Sequence, residues 1–415
     1  MAHVSPSTAK LSEDVWTNGH VRRDSVYVKW VAFVDELVAG SRSALVLVGR
    51  GGSGKSTAAR HAIVQAKSMD VPVRMIRGRR LDHAAPYSSV EDHLSLSLLE
   101  SLLNDPSRRD LLEARGALMC GLEPGLLVIE DAQWIDPASL MLLAALTSNI
   151  VASGTRLLIT QRPRSNRSDL AALTEMQADS GIPIVLGSLL EDDVRAAISG
   201  LSSVGNDTVT VERIATATAG APFLLHALTE SEVVAGVDAR LWLSGGQCPA
   251  AVVEAVRMRL GHVSETAHAL LVALSYGASM TGDELGDLLE VSDYRVVSNA
   301  ARELHDEGLL TDDGTDVVPL VAEVTAILQP PVERRHHHLN FAAVLEARGG
   351  SIVTRAEHLE AAGAPARELA DVYVEAADEL MADAPALALE WLDRADNLGL
   401  SATDLAGRRV DALLR

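Results

Sequence analysis

Gly49-Arg50-Gly51-Gly52-Ser53-Gly54-Lys55-Ser56 fits GxxxxGK[ST] and directly follows a short apolar run, Ala44 to Val48. Such a stretch is built to hold a polyphosphate. Its glycines let backbone N–H groups converge on phosphate oxygens without Cβ clashes. Lys55 brings a point charge to the β- and γ-phosphates and Ser56 a hydroxyl for Mg²⁺. The helix opening at Lys55, with Thr57 in its first turn, adds its N-terminal dipole. The same glycines fit GxGxxG through Gly49, Gly51 and Gly54. A dinucleotide site, however, gives Lys55 and Ser56 no role, and the second apolar run ends in Arg77, Arg79 and Arg80 instead of an acidic ribose ligand. The reading retained is a nucleotide phosphate loop, Gly49 to Thr57, taking ATP or ADP with Mg²⁺.

Two further runs end in groups that suit this ligand. Leu126-Leu-Val-Ile129 runs into Glu130 and Asp131. Two carboxylates leaving a buried strand are costly unless they meet a cation, and beside a phosphate loop that cation is Mg²⁺ with its waters. By position Glu130 holds the Mg²⁺ shell, with Ser56, and Asp131 polarises the attacking water; Glu130 is the alternative base. Arg156-Leu-Leu-Ile-Thr160 leads through Gln161 to Arg162, a cation placed to sense the γ-phosphate. The candidate catalytic set is Asp131, Glu130, Lys55 and Arg162.

The elements that must position these groups alternate. Strands are expected at Ala44–Val48, Val71–Ile76, Leu126–Ile129, Arg156–Thr160 and Ile182–Leu186, with helical patterns between them. That order predicts a parallel sheet covered on both faces. After residue 188 strand signals stop. Helices are expected at Glu191–Ser199, Val211–Ala217, Pro222–Ala235, Ala267–Tyr276, Thr281–Leu289 and Asp293–Glu307, the last three with the turn Gly308–Gly314 outlining a winged helix. Four more, near 351–362, 366–382, 384–398 and 402–415, look like paired helical repeats. The pattern is still apolar-periodic at Arg415, so the natural protein is expected to continue. The division expected is 1–20 lead-in, 21–188 P-loop domain, 189–247 small helical domain, 248–330 winged helix and 331–415 TPR-like repeats. The fold class is thus an α/β P-loop NTPase, a parallel sheet sandwiched by helices, followed by an all-α domain, a winged helix and TPR-like helical repeats.

Composition excludes several classes. The chain has 415 residues, is 47% hydrophobic and carries 57 acidic against 36 basic residues, a net charge of -21. Phosphate backbones and anionic membranes repel such a chain. No apolar run of about 18 residues offers a membrane span, and the first residues lack a secretory signal. Cys120 and Cys248 form no metal-type pair and read as small buried side chains, which fits a cytoplasmic protein. Arg334-Arg-His-His-His338 puts adjacent histidines on different helix faces, so they read as a solvated face, not a metal site.

In order and spacing, the phosphate loop, VIEDAQWIDPASL (128–140), LLITQR (157–162), AGAPFLLHAL (219–228) and LHDEGLL (304–310) resemble STAND-class AAA+-type signalling ATPases. More narrowly they resemble the N-terminal part of the large ATP-binding LuxR-family (LAL) regulators. The resemblance implies that Pro222, in Gly220-Ala-Pro222, lies against the adenine, and that Arg23, in VRRD (21–24), touches the base. It also implies slow ATP hydrolysis, self-association in the ATP state, and an inducer, small molecule or protein, on the repeats. Output would be transcription through a C-terminal DNA-binding domain not present in these residues. The chain departs from the pattern at Gln133, where a histidine is common, and at 316–324, where a histidine that contacts the ADP β-phosphate in related switches is absent. Two other functions fit the same motifs: a stand-alone nucleotide-dependent assembly scaffold, and a DNA-loading ATPase using its winged helix, which the charge of -21 opposes.

Overall fold

The computed structural model describes residues 26–150, 153–163, 167–175, 183–198, 208–235, 242, 247–276, 285–286, 289, 293–399 and 402–414. Arg23, the lead-in and most of the expected helix Thr281–Leu289 lie outside them. The chain folds as two compact units, Met1–Ala255 with His305–Gly308, and Val256–Leu304 with Leu309–Arg415.

In the first unit the elements run α1 (Val26–Ala39), β1 (Ala44–Gly49), α2 (Lys55–Ser68), β2 (Val73–Arg77), α3 (Leu96–Asn104), α4 (Arg108–Met119), β3 (Leu126–Glu130), α5 (Pro137–Ile150), β4 (Arg156–Gln161), α6 (Ser168–Glu175), β5 (Ile184–Leu186), α7 (Glu191–Ile198), α8 (Thr208–Thr218) and α9 (Pro222–Ala235). The five strands are parallel in the order β2-β3-β4-β1-β5. The central strands β1, β3 and β4 are covered on both faces, so they read as nearly continuous apolar runs with alternate residues serving opposite cores. Leu126, Val128 and Leu158 join Leu37 of α1 and Ala62 of α2. Leu127, Ile129 and Ile159 join Leu102, Leu118, Leu143 and Leu170 from α3 to α6. This is an α/β fold, a parallel sheet between helices followed by a helix-rich region. The order places β4 between β1 and β3, which brings all three charged strand ends to one edge.

One buried acid shapes that edge from behind. Asp136 is fully buried; burial pushes its carboxyl up, but N–H donors from Ser139, Ser89 and Tyr87 outweigh it and hold the group below the usual carboxylate range. It thereby caps α5 and pins the turn at 87–89.

The second unit is helical: it begins within α10 (Ala250–Leu260) and continues through α11 (Glu265–Tyr276), most of α12 (Tyr294–Asp306), α13 (Pro319–Leu328), α14 (Pro331–Arg348), α15 (Ile352–Ala361), α16 (Ala366–Leu380), α17 (Pro385–Asn397) and α18 (Ala402–Leu414). After β5 the described residues contain one antiparallel bridge, Leu310 to Val317, where the sequence promised only a turn. From α15 onward each helix packs on its predecessor. In α16, Leu369, Val372, Tyr373, Ala376 and Ala377 recur at helical spacing and are buried, which makes one stripe serve both neighbours.

Two expectations about composition fail. Cys120 is exposed and Cys248 half-buried; both sit near element ends, where the chain has no core to offer. His337 and His338 are half-buried instead of solvated. The His338 Nδ1 lies 2.9 Å from the His358 Nδ1 on α15, and the His338 ring packs edge-on against Tyr276. Adjacent histidines do diverge, but one of them diverges into a neighbour.

That pair predicts acid sensitivity. His358 is 8% exposed, and burial, aided by His338, pushes its imidazole down to about 4; His338 is lowered by burial, His337 and Arg334. A base depressed from its ordinary 6.5 is stable in the fold when neutral. Its contribution is therefore complete above pH 6.5 and lost as pH falls towards 4, on the order of 3 kcal/mol. Thermal unfolding of the full chain at pH 7.5 and 4.5 should show His358→Gln losing less on acidification than the wild type; equal losses would contradict this.

Candidate functional site

The loop after β1 has the shape its letters promise. Gly52 and Gly54 have φ of 76° and 93°, the left-handed region that a side chain would resist. Gly54 starts α2 without a side-chain cap, so the first-turn N–H groups face outward. Lys55 is 6% exposed and its Nζ donates to the carbonyls of Gly49 and Arg50, both at 2.8 Å, folding the loop around the ammonium. The Ser53 hydroxyl is buried with no hydrogen-bond partner, while Ser56 and Thr57 are exposed on the first turn of α2. A buried hydroxyl without a partner, between an uncapped helix N-terminus and the Lys55 ammonium, suits an anion, so these residues fit a nucleotide's phosphates.

Glu130 and Asp131 part company. Glu130 is 3% exposed, and its Oε2 takes the Arg77 Nε at 2.7 Å and Nη2 at 2.6 Å. Arg77 and Glu130 are in register as last residues of neighbouring strands. The cation that Glu130 meets here is thus an arginine, and its other oxygen is what remains for a metal-bound water. Asp131 leaves the strand in the left-handed conformation, φ 52°. Its N–H donates to the Thr160 hydroxyl at 3.0 Å, and its Oδ1 accepts from Gln133 Nε2 at 2.9 Å. Among the described residues no three His, Cys, Asp or Glu side chains converge on a metal position.

Arg162 follows β4. Its N–H donates to Gln133 Oε1 at 2.9 Å, and its guanidinium lies 5.7 Å from the Trp134 ring, which Arg80 also faces at 5.4 Å. The same guanidinium pairs with the buried Glu307 carboxylate at 2.8 Å. The tetrapeptide His305–Gly308 belongs to this unit and reaches the phosphate loop as well, because the Asp306 carbonyl accepts the Gly51 N–H at 2.7 Å.

Residues 23–159 match the AAA ATPase domain. No curated protein matches the chain significantly. Among solved structures, a Thermotoga maritima RuvB variant is 14% identical with a TM-score of 0.39 and covers 72% of this chain and 93% of its own. The Aeropyrum pernix ORC1 protein in complex with DNA is 16% identical with a TM-score of 0.41, covering 76% and 96%. Cdc6p from Pyrobaculum aerophilum is 15% identical with a TM-score of 0.37, covering 76% and 97%.

The matched AAA domain holds the phosphate loop, Glu130, Asp131 and the start of β4; Arg162 follows directly. Pro222 arrives from beyond the match. A Cβ on Gly49 would meet the Leu186 carbonyl at 2.9 Å, so β1 and β5 close tightly at the loop. Three residues on, Leu189 N–H donates to the Gly220 carbonyl at 2.8 Å. Gly220, at φ 67°, would place a Cβ 2.1 Å from the Leu189 oxygen, so only glycine allows the approach. Pro222 then opens α9, half-buried. Sequence reading missed Thr160, the structural use of Gln133, the Arg77 partner and Glu307. Only strand register or tertiary contact reveals them.

Proposed function

We propose that this chain is an ATP/ADP-binding switch with slow ATPase activity, of the kind found in the LuxR-family regulators it resembles. Lys55 and the loop amides hold the phosphates, Ser56 and, through water, Glu130 and Asp131 hold Mg²⁺, and Pro222 lies against the adenine. Bound Mg²⁺ neutralises charge on the phosphates. Asp131 accepts the proton of the attacking water through its free Oδ2, and Arg162 meets the γ-phosphate.

The observation that carries the reading is the engagement of Arg162 by Glu307. A γ-phosphate competes with that carboxylate for the same guanidinium, and its negative charge opposes a carboxylate beside the loop. ATP therefore favours release of His305–Gly308 and ADP tolerates it. Moving such a balance from mostly off to mostly on takes about 5.5 kcal/mol of differential affinity, so ATP and an inducer act together. Phosphate release from Mg²⁺-ATP by the full chain tests the reading: turnover should be measurable but well below the roughly 10 per second of a typical enzyme. No turnover at saturating ATP would leave only a binding module.

A further inference from the structure

We infer that Gln133 is a positioning residue for ATP hydrolysis, coupling the Asp131 carboxylate to Arg162. The inference rests on the proposed hydrolysis and goes beyond it by naming the group that sets its geometry. Gln133 is 7% exposed and stands between the ends of β3 and β4. Its two amide atoms face opposite demands: Nε2 donates to Asp131 Oδ1 and Oε1 accepts the Arg162 N–H, both at 2.9 Å. Turning the amide over would set oxygen against oxygen and N–H against N–H, so one orientation is fixed.

Two consequences follow for the chemistry. With Oδ1 committed to the amide and the Asp131 N–H held by Thr160, the carboxylate is oriented, and Oδ2 is left to take a proton. The same amide anchors the backbone from which the Arg162 guanidinium extends, so the base and the cation that meets the γ-phosphate are set by one side chain. Gln133 carries no charge at any working pH and performs this coupling without titrating. A merely structural glutamine would fill buried hydrogen-bonding needs and affect folding or binding; a positioning glutamine affects turnover and its pH dependence.

The test compares wild type, Gln133→Leu and Gln133→Glu in the full chain by steady-state ATP hydrolysis across pH, with calorimetric ADP affinity as the second readout. Gln133→Leu removes both hydrogen bonds and should lower kcat about 10- to 100-fold, leaving KM and ADP affinity within about twofold. Gln133→Glu keeps the shape and the acceptor for Arg162 but faces Asp131 with a second carboxyl. The two share a proton, so the acid limb of its activity should move up by about one pH unit. Should the leucine variant not fold, the glutamate profile decides alone. The inference is overturned if both variants keep wild-type turnover and pH profile, or if Gln133→Leu weakens ADP in proportion to its loss of turnover. A wild-type chain without hydrolysis overturns the proposed ATPase and this role with it; a wild-type chain that hydrolyses ATP with unaffected variants overturns only the role.

Discussion

Lys55→Ala is expected to weaken ATP binding by about 100-fold or more, with little loss of fold. The ammonium is buried in the loop and donates to the Gly49 and Arg50 carbonyls, so it organises the phosphate cradle and brings it a fixed positive charge. Losing several charge-assisted contacts of about 1.5–3 kcal/mol each gives that factor. Alanine is a good helix former, so α2 should survive. Calorimetry with ATP and Mg²⁺ reads the affinity and circular dichroism the fold. Unchanged affinity in a folded variant would refute the phosphate loop.

Asp131→Asn should keep ATP affinity and lower turnover by about 10² to 10⁴, the usual contribution of a general base. The Asn oxygen can still accept from Gln133, so the local geometry is preserved while proton acceptance is lost. Wild-type turnover in the variant would dismiss Asp131 and leave Glu130 as the base. Glu130 would then have to work with its Oε2 already taken by the Arg77 guanidinium.

The central strands β1, β3 and β4 were legible because each has a short, mostly buried apolar run, and the phosphate loop because its letters are dictated by backbone geometry. Strand order was not legible: nothing local says that β4 lies between β1 and β3. This is why the sequence assigned Glu130's cation to Mg²⁺, whereas register supplies Arg77. Glu307 lies 145 residues from Arg162, and local pattern carries no trace of their meeting. His338 was misplaced for a related reason. Helical spacing tells which residues diverge but not which of them finds a neighbour; α15 presents His358 there. Gln133 stood out only as a departure from the resemblance, because a neutral amide signals no chemistry until both of its partners are known.

If nucleotide state governs this chain, sedimentation velocity of the full chain with Mg²⁺-ADP against a non-hydrolysable ATP analogue will show it. One slow species is expected with ADP and faster-sedimenting, self-associated species with the analogue. Identical sedimentation in both, with both nucleotides shown to be bound, would contradict it.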